Sequence, residues 1–194
     1  YMLAGMSIDT VGNPGAYWAF TVSGVDAMGN QLWYKRYPMA YNQNMCNGWF
    51  THDFLKKING FYYATFYVHD IGTEDYTSYL VKLDDQGDTL WTKHLIGDAQ
   101  DPTLETRSFS KTNDGGFLIS GLTGPLNGET KSFLLKTDSY GNAQWKKKYN
   151  LSNEAEYVFA AVQDSITNKI VMVGQNPKVG KIDCYMIQSN LKIR

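Results

Sequence analysis

Cysteine is nearly missing from this chain of 194 residues, with only Cys46 and Cys184 present. They stand far apart and belong to no C-x-x-C or Cys/His pattern, so neither a zinc site nor a redox pair is written here. Both read as buried or free thiols, because cysteine behaves as a small hydrophobe; a disulfide between them stays open. Histidine is equally sparse. His52, His69 and His94 do not fall within metal-ligand spacing of one another. His69 adjoins Asp70, but sequence adjacency does not supply the geometry an acid–base pair requires. An excess of one charge is also lacking: 18 Lys+Arg face 19 Asp+Glu, for a net charge of -1. That balance excludes the cation surplus with which nucleic-acid binders displace counterions, and it gives no pull toward an anionic bilayer. No apolar run reaches the ~18 residues of a membrane-spanning helix, so direct membrane insertion is not expected. No basic segment followed by an apolar one opens the chain. The G-x-S-x-G elbow, the P-loop and the G-x-G-x-x-G turn are all missing, and the chain is expected not to be an enzyme.

Aromatic residues and glycine are plentiful: 14 Tyr, 9 Phe, 5 Trp and 18 Gly. Aromatic side chains suit a pleated surface and glycine supplies turns with positive φ. Helix-forming runs of Ala, Leu, Glu and Lys are wanting. The composition is that of an all-β protein.

Three segments share one pattern, D-x-x-G-N/D-x-x-W. They are DAMGNQLW at 26–33, DDQGDTLW at 84–91 and DSYGNAQW at 138–145. A basic, often aromatic tail follows each one: Lys35, Arg36 and Tyr37; Lys93 and His94; Lys147, Lys148 and Tyr149. An apolar strand precedes the aspartate, clearest in YLVKL at 79–83 and FLLKT at 133–137. Asp26, Asp84 and Asp138 can accept hydrogen bonds from amides further along the chain, which starts a turn. Gly29, Gly87 and Gly141 then close it in the left-handed region. The chain returns as a strand carrying Trp33, Trp91 or Trp145, so each unit contains a hairpin. The three aspartates are accordingly turn devices and not catalytic carboxylates.

A second repeated segment lies upstream of each hairpin. FLISGLT at 117–123 matches YMLAGMS at 1–7 and IVMVG at 170–174, and FYYAT at 61–65 takes the same place in the second unit. Before these come strands ending in turns, as at 108–116 and 158–168. Four antiparallel strands at a period of about 40–55 residues predict the blades of a β-propeller. The approximate repeats are 1–38 (lacking its first strand), 49–96, 107–150 and 157–194, about four blades. Because residue 1 is Tyr and falls within a second strand, the expectation is a segment of a larger propeller.

The phrases YLVKLDDQGDTLWTK at 79–93 and TNDGGFLISG at 112–121 resemble the propeller repeats of secreted and cell-surface proteins of Bacteroidetes-type bacteria. Many such proteins carry a C-terminal signal for type 9 secretion. The resemblance covers nearly the whole chain. It implies a location outside the cell or on the outer face of the outer membrane, and a protein partner or cell-surface component. The repeat is also similar to the tryptophan-docking motif of quinoprotein propellers, although its turn is one residue shorter on the Asp side. That similarity implies that Trp33, Trp91 and Trp145 pack between neighbouring blades. DTV, DTL and DSI at 9–11, 88–90 and 164–166 resemble a short O-glycosylation motif of exported Bacteroidetes proteins, which adds to the same expectation.

Ligands are expected in the loops at 6–17, 39–49, 68–76 and 124–131. The second of these holds Tyr41, Asn44 and Trp49 among several amides, residue types that suit sugar stacking and hydroxyl bonding. A glycan is therefore the alternative ligand to a protein. Asp98, Asp101 and Glu105 gather in one connection and leave calcium open as a cofactor, though their spacing is not that of an EF-hand.

Overall fold

The computed structural model describes residues 1–9, 17–38, 46–49, 54–70, 75–95, 103–124, 130–149, 157–178 and 181–190. Every regular element among them is a β-strand, and all pairings are antiparallel. The strands form four separate sheets that follow one another along the sequence. None is closed on itself.

The first sheet holds β1 (Met2–Asp9), β2 (Tyr17–Val25) and β3 (Gln31–Pro38) in that order. The second contains β4 (Cys46–Trp49), β5 (Leu55–Ile58), β6 (Phe61–Asp70), β7 (Asp75–Leu83) and β8 (Thr89–Leu95). Both β4 and β5 pair with β6, β4 along 67–70 and β5 along 61–64. Together they lie along one side of β6. The third sheet runs β12-β11-β10-β9, from β9 (Thr103–Lys111), β10 (Phe117–Gly124), β11 (Lys131–Thr137) and β12 (Ala143–Tyr149). The fourth is β13 (Tyr157–Gln163), β14 (Lys169–Lys178) and β15 (Lys181–Asn190).

Strand alternation sends successive side chains to opposite faces, and in the second and third sheets each face meets a neighbouring sheet. Met2, Phe20 and Val22 of the first sheet pack with Ala64, Phe66, Val81 and Leu83 of the second. The opposite face of the second sheet sends Tyr63, Leu80 and Leu95 against Phe109, Phe117, Ile119 and Phe133 of the third. Leu118 and Leu134, pointing away from those, seal a core with Val158, Ala161, Ile170 and Met172 of the fourth. Three cores thus alternate with four sheets. The inner strand β10 is buried at all eight positions because both of its faces are covered, which is why FLISGLTG reads as continuous and not alternating. The outer strand β12, by contrast, leaves Gln144, Lys147 and Lys148 exposed.

The second sheet corrects one alignment. Phe61 was expected to match Phe117, but Tyr62 faces Leu83 across the ladder as Phe117 faces Thr137. Tyr62 and Ala64 accordingly point to the preceding sheet, and Tyr63 to the following one. The match slips by one residue. Two aromatics in a row fit either face by composition, so only burial on a particular side fixes the register.

Candidate functional site

The repeated hairpin turn is built the same way three times. Asp26 accepts backbone N–H bonds from Met28 (2.8 Å) and Asn30 (2.9 Å) at Oδ1. Asp84 does so from Gln86 (2.9 Å) and Asp88 (2.8 Å), and Asp138 from Tyr140 (2.9 Å) and Asn142 (2.8 Å). The backbone N–H of Gly29, Gly87 and Gly141 donates to the carbonyl of the same aspartate, at 3.1–3.2 Å. These glycines sit at φ of 87°, 76° and 79°, where a side chain would be strained. The ladder shifts register at Gly24/Val25, Lys82/Leu83 and Lys136/Thr137, one equivalent bulge per unit. A type I turn closed by a left-handed glycine and a bulge accounts for the motif spacing.

These bonds settle the carboxylates' chemistry. The Asn30 side chain donates to Asp26 and, with backbone bonds, holds its carboxyl below the usual range. At Asp138 partial burial acts upward, but the side-chain and backbone bonds from Asn142 outweigh it and the value is again lowered. Both stay ionised near neutral pH with their oxygens committed to amides.

Trp33 and Trp91 each reach the turn of the next sheet. Trp33 lies flat on Gly24 of its own sheet, where a methyl group would come within 2.2 Å of the indole Nε1. Its far edge covers Gly87, where a methyl would meet Cη2 at 2.6 Å and Cζ3 at 2.7 Å. Two residues on, Lys35 pairs with Asp88 at 2.5 Å while its ammonium stays 5.8 Å from the Trp33 ring centre. Tyr37 donates its hydroxyl to the Gly87 carbonyl. Burial, with the nearby Asp88 and Asp84 carboxylates, raises the Tyr37 hydroxyl to about 12. The second junction repeats the first. Here the Lys93 stem lies closest to the place of a Gly141 methyl, its Cγ at 2.8 Å, with Trp91 Cη2 beside it at 3.3 Å, and Lys93 donates to Asn142 Oδ1 at 2.9 Å. In the third, Trp145 packs into the core facing the fourth sheet, with Lys147 Nζ 5.6 Å from its ring centre. The corresponding turn of the fourth unit would fall at 191–194, outside the described residues.

A second set of bonds joins the other turns. Lys111 donates to Asn59 Oδ1 of the second sheet at 3.3 Å. Asn113 reaches the fourth sheet, donating to Asn168 Oδ1 at 2.5 Å while its backbone N–H meets Gln163 Oε1 at 2.9 Å. Behind it Lys136, 4% exposed, is held by Asp114, Gln144 and the Thr137 carbonyl. Partial burial of Asp114 acts upward, but bonds from Thr112, Lys136 and Gly116 bring its carboxyl to about 2.

Other candidate residues are not assembled into a site among the described residues. Tyr41 and Asn44 lie outside them, as do Asp98, Asp101 and His52. Trp49 occupies the end of β4, opposite Tyr67. Cys46 stands on the second sheet, opposite Asp70, and Cys184 on the fourth, opposite Gln175. Glu105, read as part of a calcium set, pairs with Arg107 and bonds to Tyr67. Burial first, and then that carboxylate, pushes the Tyr67 hydroxyl well up. His94 stacks on Tyr79 at 5.2 Å, and no metal-holding group of three His, Cys, Asp or Glu occurs among the described residues.

Sequence reasoning grouped Lys35 and Lys93 only as a basic tail and missed their bonds to the next turn. The signal was present: a lysine two places after every repeated tryptophan, on the same strand face. Asn113 carried no such signal, because it occurs in one unit only. Comparison with protein-family models and with curated proteins gives no match to this chain.

Proposed function

We propose that this chain is a run of β-propeller blades acting as a non-enzymatic scaffold or binding module in a secreted or cell-surface bacterial protein, where it mediates protein contact or adhesion. The observation that carries this reading is the repeated junction. Trp33 with Lys35, and Trp91 with Lys93, seat on equivalent turns of the next sheet, so the second sheet stands to the first as the third stands to the second. Repetition of one junction about an axis is how blades are arranged. The repeated polar residues are consumed in turns and junctions, which leaves the blade framework free of catalytic duty. Loops around such a framework are where a partner is held.

Two measurements test it. The purified protein, incubated with peptide, ester and polysaccharide substrates, should yield no product by mass spectrometry. Turnover abolished by a single substitution would refute the non-enzymatic reading. Antibody against the chain should label unpermeabilised producer cells or their medium; label confined to permeabilised cells refutes the surface location.

A further inference from the structure

The first sheet carries a copy of the junction turn that no described residue fills. Asn30 donates its side-chain Nδ2 to Asp26 Oδ2 at 2.9 Å, as Asn142 donates to Asp138 at 2.8 Å. That bond fixes the amide so that Oδ1 points away from its own turn. On Asn142 this oxygen receives Lys93; on Asn30 it has no partner among the described residues. Where the Trp33 indole covers Gly87, and the Lys93 stem with the Trp91 indole covers Gly141, nothing among the described residues lies within 4 Å of a methyl placed on Gly29. Turn geometry is the same at all three sites, so the difference is one of occupancy and not of build.

The sheet face beside this turn is unfilled as well. Leu3 corresponds in the ladder to Ala64, Ile119 and Met172, which face the preceding sheet and are 0–1% exposed. Leu3 is 58% exposed. Met28, within the turn, is 84% exposed. A turn with a poised acceptor, a bare glycine and an apolar flank match what the second and third sheets offer to their neighbours.

We propose that the Gly29–Asn30 turn and the adjoining face of the first sheet form a docking site for the outer strand of another unit of this repeat, one bearing Trp-x-Lys. Its indole would cover Gly29 and its lysine would donate to Asn30 Oδ1. The choice of occupant follows from the two filled junctions, in which that strand is what sits on the equivalent turn. The inference goes beyond the scaffold reading and rests on junction geometry alone, so it stands or falls independently of enzymatic activity or cellular location.

The test uses the isotope-labelled chain and a cyclised hairpin covering β11 through β12 (131–149), whose closure lowers the ordering cost of a linear peptide and whose cross-strand contacts are first shown by NMR to match the β11–β12 ladder. Saturable shifts of the Met28, Gly29, Asn30 and Leu3 amides are expected. Replacing the hairpin's Trp145→Ala should weaken binding about tenfold or more, since a buried indole carries much of such a contact. The chain variant Asn30→Asp should tighten binding about threefold and make it salt-sensitive, as expected when Asp takes the place it holds at Asp88. No saturable shift, shifts located elsewhere, or equal binding by the Trp145→Ala hairpin overturns the proposal. Shifts of the same amides on simple concentration of the chain, without hairpin, also overturn it and assign the face to a second copy.

Discussion

At the scale of single residues, the ionised aspartates decide how the molecule meets acid. Asp26, Asp138 and Asp164 sit below the ordinary carboxylate value, and Asp114 near 2. A group whose folded value is depressed stabilises the fold above its unfolded value and loses that contribution as pH falls through the folded one. Stability should therefore decline between about pH 4 and pH 2, measurable as a falling denaturation midpoint. Asp114→Asn removes the partner that bonds the buried Lys136 ammonium, at a cost of about 1–3 kcal/mol near neutral pH. It should cost less at pH 2, where Asp114 is itself about half protonated. An equal loss at both values would mean that the ion pair is not what is being lost. Gly24 offers a different residue-scale test. The second and third units have Lys82 and Lys136 at this place, whereas here the indole of Trp33 rests on the bare backbone. Gly24→Ala should displace Trp33 and destabilise by about 1–3 kcal/mol, a cost typical of overpacking. A red-shifted tryptophan emission should accompany it.

At the scale of elements, what could be read from the sequence was whatever is encoded locally. An Asp, a left-handed Gly and a Trp at fixed offsets specify turn, bulge and returning strand without help from the rest of the chain. The hairpins β2–β3, β7–β8 and β11–β12 are legible for that reason. The pairing of both β4 and β5 with β6 is not, because no residue pattern at 46–58 announces that two short strands will share one neighbour. The one-residue slip at Phe61 has the same origin: FYYAT supplies aromatics to both faces, and only the cores on either side choose. In the candidate site, the tryptophans were legible because they recur, and Asn113 was not because it stands alone. The turn motif makes its own prediction. Gly87→Ala must place a side chain both at φ 76° and against the Trp33 ring, whereas Gly29→Ala suffers only the backbone strain, since nothing lies above it among the described residues. Both should destabilise, and Gly87→Ala by about 1–3 kcal/mol more, the added cost of forcing a methyl into a filled site. Equal losses in chemical denaturation would show that Trp33 does not bear on Gly87.

At the scale of the molecule, stability is distributed as a chain of interfaces. The second and third sheets each contribute to two cores, whereas the first and fourth contribute to one each among the described residues. When neighbouring layers supply most of the stabilisation, total stability approaches a sum of layer and interface terms, and opening begins where only one interface must break. Amide exchange should then be slowest in β10 and β11, and faster in β1–β3 and β13–β15. Phe20 is the sharpest probe. It stacks on Phe66 at 4.9 Å and lies 5.4 Å from Tyr37, all within the core between the first two sheets. Phe20→Ala removes about 3–5 kcal/mol of packing from that interface. If the first sheet opens by itself, its amides should exchange at least about a hundredfold faster while those of β10 are nearly unchanged. If β10 accelerates by the same factor, the four sheets unfold as one unit and the junctions transmit the loss across three cores. The junction bonds set the balance between these outcomes. Tyr37 and Lys35 tie the first sheet to Gly87 and Asp88 of the second, while Lys93 ties the second to Asn142 of the third. Adding Lys35→Met to Phe20→Ala should accelerate the first sheet further and still leave β10 protected, because the Lys93 bond and the second core lie on the far side of the second sheet.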